Sequence, residues 1–214
     1  MCPTYLNITP NECLVFTFGI ADQWTFEDWI GQQGCEVHAF DPTIAYLDRH
    51  LAHKSDNVIF HYEGLKGNSS TVSAESHVSS YGKLGGEFYT LNELWKKYGN
   101  NRKINMIKID CEGCEWESFV DAARFYPEAL ENTCTIVIEV HVVKSLQMRT
   151  IKQLIQMSEF WRLFIEVLGF RLWYLHKNPG GPVDRVVNPI LIQLGLEPDI
   201  CCYEIALYRP GCAF

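Results

Sequence analysis

Residues 14–42, LVFTFGIADQWTFEDWIGQQGCEVHAFDP, constrain the fold more than any other stretch, because they read as strand, turn, helix, strand. Residues 14–18 are an apolar, partly β-branched run of strand length. Gly19 breaks it, as a tight turn at a strand end requires. Residues 25–33 carry Phe26, Trp29 and Ile30 at helical spacing, with Thr25 or Asp22 as cap, and Gly34 ends that helix. Residues 37–40 form a second apolar run that stops at Asp41-Pro42, where proline cannot continue a central strand.

This unit carries a chemical expectation. Open parallel sheets bind ligands at the carboxyl ends of their strands. Gly19 ends the first strand and would let a ligand approach the backbone. Asp41 ends the second, about twenty residues further on, where a carboxylate can accept hydrogen bonds from both hydroxyls of a ribose. A nucleoside-bearing cofactor is the first expectation; the plain alternative is a βαβ unit whose Asp41 caps the next helix. As an acid at a strand end, Asp41 is not expected in the core. Dinucleotides need a pyrophosphate cradle of the G-x-G-x-x-G kind. Here the turn FGIADQW holds one glycine, with the acid Asp22 where phosphates would lie. That disfavours NAD and FAD and suits S-adenosylmethionine, which has no phosphate and carries an ammonium and a sulfonium.

The rest of the chain repeats the alternation. A helix is expected over residues 43–53 and a third strand over 57–62, ending at Glu63-Gly64, where a polar group can edge an adenine ring. Residues 67–86, rich in Ser, Gly and Thr, read as a long loop, a lid or a plain surface insertion. Thr90 and Glu93 form a capping box for a helix over 90–98. A fourth strand covers 104–109 and runs into Asp110-Cys111-Glu112-Gly113-Cys114-Glu115, the start of a helix over 115–125 whose first-turn acids suit its N-terminus. A fifth strand, 135–140, ends at Glu139-Val140-His141. A long helix over 146–168, broken near Ser158, precedes two strands at 170–175 and 202–208. The loop over 178–198 between them is expected to fold over the site. Strand–helix alternation gives a parallel, doubly wound sheet. The last two strands have no helix between them, so the final one is expected to be antiparallel. No internal repeat or linker splits the chain, and residues 1–214 read as a single domain with a core over about 13–208.

Composition bounds the partners. The chain has 214 residues, 47% of them hydrophobic and 21% charged, which is globular rather than disordered. A formal net charge of -8 disfavours a nucleic-acid partner. No apolar run reaches the length of a membrane span, and the first ten residues lack the regions of a signal peptide. As written the chain is expected to be intracellular, although its abrupt start leaves room for an upstream segment and a luminal setting. Nine cysteines would be mostly small buried hydrophobes in a reducing compartment, and mostly paired in an oxidising one. The triplets at Asn7 and Asn68 are formal glycosylation sequons.

Asp110 and Glu112 fall at the end of the fourth strand, and Glu139 and His141 at the end of the fifth, so all four can face the crevice beside Gly19. Asp110 can meet the cofactor's ammonium, and His141 or a carboxylate can take a proton from a substrate hydroxyl. Such a base contributes about 10²–10⁴-fold when within hydrogen-bond reach. The plain alternatives are a structural histidine and acids that stabilise a helix start. No metal is expected. The rival is a zinc site from Cys111, Cys114 and His141; a redox-active Cys111/Cys114 pair is another, and a dinucleotide oxidoreductase a third.

The motif Lys108-Ile109-Asp110-Cys111-Glu112-Gly113-Cys114-Glu115 resembles the K-I-D-x-E-G-x-E signature of FkbM-type S-adenosylmethionine-dependent methyltransferases. Phe18-Gly19-Ile20, Ala39-Phe40-Asp41-Pro42-Thr43, Ile138-Glu139-Val140-His141 and Tyr203-Glu204-Ile205 look like the animal branch of that family, over nearly the whole chain. The resemblance implies an α/β, Rossmann-like class I methyltransferase fold: a seven-stranded, mostly parallel sheet of order 3-2-1-4-5-7-6 with helices on both faces. It implies S-adenosyl-L-methionine as cofactor and O-methylation of a hydroxyl on a sugar or small molecule. Carried over by position, Phe18, Gly19, Ile20 and Asp22 lie at the methionine end, Asp41 and Pro42 at the ribose and Glu63 near the adenine. Asp110, Glu112 and His141 lie by the reacting centre. The single-glycine turn replaces the family's G-x-N-x-G, and an upstream D-G-G-K segment is not in this chain. Those departures support the alternative expectation, a non-catalytic binding protein that keeps the fold.

Overall fold

A computed structural model of the chain describes residues 9, 12–68, 78–79, 82–141, 151–178 and 202–212. Strand β1 (Leu14–Phe18) leads through α1 (Thr25–Gln32) to β2 (Glu36–Phe40). A 3₁₀ turn (Ile44–Tyr46) and α2 (Leu47–Ala52) connect to β3 (Val58–His61). Four short strands follow: β4 (Glu63–Leu65), β5 (Val78–Ser79), β6 (Gly82–Lys83) and β7 (Glu87–Tyr89). Then come α3 (Leu91–Gly99), β8 (Ile104–Ile109), α4 (Cys114–Phe125), α5 (Glu128–Glu131) and β9 (Thr133–His141). The described chain closes with α6 (Ile151–Trp161), a π-helical turn (Arg162–Val167), β10 (Arg171–Asn178) and β11 (Cys202–Tyr208).

Seven strands form one sheet in the order β3-β2-β1-β8-β9-β11-β10. Numbered among themselves along the chain they read 3-2-1-4-5-7-6, the order the resemblance implies. β11 runs antiparallel to both β9 and β10, and the other pairs are parallel. The fold is therefore the Rossmann-like class I methyltransferase arrangement.

Buried strands alternate between two cores. Leu14, Phe16 and Phe18 of β1 point to the larger core, with Phe119 of α4, Phe160 of α6 and Phe164 of the π turn, all buried. Cys13 and Val15 point the other way, against Ile30 of α1, Val37 and Met106. Truncating a buried phenylalanine such as Phe16 costs about 3–5 kcal/mol. The capping box on α3 is present: Thr90 Oγ1 accepts from Glu93 N at 3.3 Å, and Thr90 N donates to Glu93 Oε2 at 2.7 Å.

Several expectations change in detail. The long helix breaks at Arg162, where the π turn begins, rather than near Ser158. The helix expected from residue 43 is a 3₁₀ turn followed by two α turns. Part of the loop expected over 67–86 is strand: β5 pairs antiparallel with β6, and just beyond the loop β7 pairs in parallel with β4. Residues 69–77 and 80–81 of that loop, and residues 179–198 of the loop expected over 178–198, lie outside the described residues. Among the described cysteines, Cys13–Cys35, Cys111–Cys114 and Cys134–Cys212 are disulfides, and Cys202 is disulfide-bonded as well. Cys13–Cys35 sits within the smaller core, and Cys134–Cys212 ties β9 to the chain beyond β11.

Candidate functional site

A cleft of about 890 Å³ opens at the carboxyl ends of β1, β2, β8 and β9, within the range of about 300–1,000 Å³ found for small-molecule sites. Phe18, Gly19, Ile20, Asp41, Pro42, Asp110 and Glu112 line it, together with Glu139 and Glu204.

On the β1–β2 side the chain makes a fixed turn. Gly19 N donates to Phe40 O at 3.0 Å, and Asp110 N donates to Phe18 O at 2.9 Å. Gly19 has φ +77°, and a Cβ there would stand 1.7 Å from the Asp110 carbonyl oxygen. The glycine is therefore required by the backbone of Asp110, not by a ligand as the sequence reading expects. Ala21 also has positive φ, 51°. Asp41 holds this turn: its Oδ2 accepts from Ile20 N at 3.0 Å and Ala21 N at 2.8 Å, and its Oδ1 accepts from Thr43 N at 2.8 Å. Asp41 is only 2% exposed, which corrects the expectation that a strand-end acid stays out of the core.

Two expected cofactor residues are elsewhere. Asp22 is not in the cleft; it pairs with Arg49 at the surface. The argument that its charge would repel a pyrophosphate loses its basis. Glu63 also lies off the cleft, accepting from Lys97 Nζ at 2.6 Å and Tyr98 OH at 2.8 Å; its neighbours Gly64 and Leu65 line the wall instead.

On the β8–β9 side the acids converge on one imidazole. His141 is 2% exposed. Its Nε2 lies 3.6 Å from Asp110 Oδ1, 3.6 Å from Glu112 Oε2 and 4.0 Å from Glu139 Oε1. Its Nδ1 lies 3.1 Å from Oε1 of the fully buried Glu115, which also accepts from His141 N at 2.9 Å. Glu112 reaches this point because Glu112 and Gly113 both have positive φ, 60° and 114°, at the start of α4. Left-handed backbone at a non-glycine residue is costly and is concentrated at functional sites. Burial pushes the Asp110 carboxyl above its ordinary range, against the opposing charge of His141. Burial also raises Glu139, and the charge of Asp110 adds to it. For His141 burial pulls downward, but the hydrogen bond and charge of Glu115, with Asp110 and Glu139, outweigh it and leave the imidazole raised. Lys108, the nearest cation in sequence, pairs with buried Glu27 at 3.2 Å.

The rival zinc set fails here, because Cys111 and Cys114 are bonded to each other and offer no thiolates. Sequence reasoning missed Glu115 as the support of His141 and Glu204 as a cleft acid. The signal for Glu115 was its place in the first turn of the helix that starts at the end of the fourth strand.

A methyltransferase-domain family model matches residues 1–178. The chain belongs to this family. Two curated methyltransferase relatives align over 94% of the chain and 51% of their own length: "Probable methyltransferase-like protein 24" of Homo sapiens, 27% identical, and of Rattus norvegicus, 25% identical. The chain thus spans about half the length of the curated relatives it matches. Among solved structures, the methyltransferase domain is similar to a fibrillarin/NOP5P complex, with TM-score 0.46 and 13% identity over 92% of this chain and 73% of that one. It is similar also to precorrin-6y C5,15-methyltransferase of Geobacter metallireducens, with TM-score 0.44 and 10% identity over 96% and 84%. Among the described residues no helix is long and apolar enough to cross a membrane.

Proposed function

We propose that this domain is an S-adenosylmethionine-dependent O-methyltransferase acting on a hydroxyl of a sugar or small molecule. One observation carries the reading: Asp110 and Glu112 line the cleft with Gly19, and both stand 3.6 Å from the buried His141. When bound, S-adenosylmethionine supplies a methyl carbon on a sulfonium leaving group. The cleft fits that group by volume, and the acids Asp110, Glu112, Glu139 and Glu204 favour its ammonium and sulfonium. Asp41 fixes the turn through the backbone of Ile20 and Ala21, so the wall at the methionine end is formed before binding. Asp110 receives the ammonium. With that donor bound, the Asp110–Glu112–His141 cluster would take up the proton of the acceptor hydroxyl as its oxygen receives the methyl group. Alignment in a water-poor cleft supplies most of the acceleration, several kcal/mol of it by positioning alone.

The test is incubation with methyl-labelled S-adenosylmethionine and a panel of hydroxylated glycans and small molecules. The expected product carries label in an alkali-stable ether. Label in an amine or a hydrolysable ester would refute oxygen transfer to a hydroxyl. Asp41 favours a second reading, a binding protein without turnover, because three backbone N–H groups already occupy the acid meant for the ribose. Binding of S-adenosylhomocysteine with no transfer to any acceptor would support it.

A further inference from the structure

His141 is held as a ligand is held, not only as a base would be. The Glu115 carboxylate can only accept, so Nδ1 carries a proton, and Nε2 is the ring atom turned toward the cleft acids. A metal-bound histidine shows this same arrangement, its second ring N–H on a carboxylate that fixes tautomer and orientation. The distances agree. At 3.6 Å, neither Asp110 Oδ1 nor Glu112 Oε2 is within hydrogen-bond range of Nε2. Donors bound at about 2.1 Å to a common ion stand about 3.0–4.2 Å apart, whether in a tetrahedron or an octahedron. The three ligand atoms of Asp110, Glu112 and His141 all lie within 4.8 Å of one another. They come from two strand ends and a left-handed turn, so the convergence is built by the fold and not by one acidic run.

We propose that Asp110, Glu112 and His141 bind a divalent cation at the floor of the cleft, with Glu115 as the residue that positions His141. One imidazole with two carboxylates suits Mn²⁺, Fe²⁺ or Zn²⁺ better than Mg²⁺ or Ca²⁺, which favour oxygen-only sets. Three protein ligands leave positions open for an oxygen of the acceptor. A cation there draws electron density from that hydroxyl and makes its proton easier to remove, the work otherwise left to a general base. This use of the cation rests on the methyltransferase reading; the binding itself does not. Cys202, which also lies near His141 and Glu139, is disulfide-bonded and takes no part.

The experiment is titration of the purified full chain with MnCl₂, read by loss of the free-ion electron paramagnetic resonance signal and by calorimetry. The expected result is one saturable site per chain. Glu112→Gln should weaken it at least tenfold, and Glu115→Gln, which removes no ligand, should weaken it about 10–100-fold. Thermal unfolding of each variant shows whether it is folded. Loss of affinity in folded Glu115→Gln beyond that in Glu117→Gln, which removes the same charge from the same helix turn, separates positioning from mere charge, and zinc or magnesium competition ranks the metals. Weak, unsaturable association that the variants leave unchanged would be general attraction to an acidic protein and would overturn the proposal, as would no binding by the folded wild type. S-adenosylhomocysteine is titrated in parallel without metal: its binding alone would sink the cation and keep the methyltransferase reading, and Mn²⁺ binding alone would do the reverse.

Discussion

The two sides of the cleft use acids in opposite ways. On the β1–β2 side Asp41 is buried and satisfied by three backbone N–H groups. Its charge holds a turn. On the β8–β9 side Asp110, Glu112 and Glu139 crowd one imidazole at 3.6–4.0 Å, and burial raises Asp110 and Glu139. Their charge is left in tension. The difference separates a frame, whose acid lowers the energy of the fold, from a reactive wall, whose acids raise it. Proteins tolerate such strain where function needs it.

Substitutions can break this division. The largest effect belongs to the frame. Gly19→Ala puts a Cβ 1.7 Å from a backbone oxygen at a φ of +77°, and should destabilise by at least about 3 kcal/mol in denaturant unfolding. Near-wild-type stability would mean that the turn can move away from Asp110. Asp41→Ala should cost about 2–3 kcal/mol, the scale of buried donors left without a charged acceptor. Asp110→Asn, on the other wall, should stay within about 0.5 kcal/mol of wild type or gain slightly, as like charges are relieved. Equal losses from Asp41→Ala and Asp110→Asn would erase the contrast.

The Cys111–Cys114 disulfide sharpens it further. It closes a loop of three bonds along the chain around Glu112 and Gly113, so its removal should cost at most about 2 kcal/mol by chain entropy. Cys111→Ser/Cys114→Ser should nevertheless alter ligand binding, because the turn that aims Glu112 loses its clasp. Unchanged ligand affinity would assign the bridge to stability alone. Mass spectrometry after alkylation, without reduction, should find the three pairs intact, the state expected of an oxidising compartment.

A further effect is pH-dependent and lies on the frame. Burial, with the charges of His38 and Lys97, pushes His61 down to about 3. Its ring accepts or donates at 2.8 Å with His38 and stacks on Phe40. The unfolded chain protonates this histidine near its ordinary value of about 6.5 while the folded chain does not, so the unfolded state binds more protons between those limits. Stability should therefore fall as pH drops from about 6.5 toward 3. His61→Gln should flatten that slope in unfolding midpoints measured at pH 7 and pH 5. An unchanged slope would place the acid sensitivity elsewhere.

Local signals carried most of the fold. The apolar runs at 14–18, 104–109 and 202–208 coincide with β1, β8 and β11, and Thr90–Glu93 forms the capping box its spacing predicts. Two strand ends sufficed to bring Asp110, Glu112 and His141 together. What sequence could not show were choices made by distant partners. Asp22 turns to Arg49, 27 residues away, and Glu63 to Lys97 and Tyr98, more than 30 away. The hold of Asp41 on the turn could not be read locally, because two of its backbone donors belong to another loop, some 20 residues earlier. Cys13 and Cys35 look like two core hydrophobes until β1 and β2 place them side by side.

The most direct test of this account is calorimetric titration with S-adenosylhomocysteine of the wild type and of Asp110→Asn. Micromolar binding by the wild type and at least tenfold weaker binding by Asp110→Asn are expected, at an unchanged unfolding midpoint. Absence of saturable binding by folded wild type would contradict it.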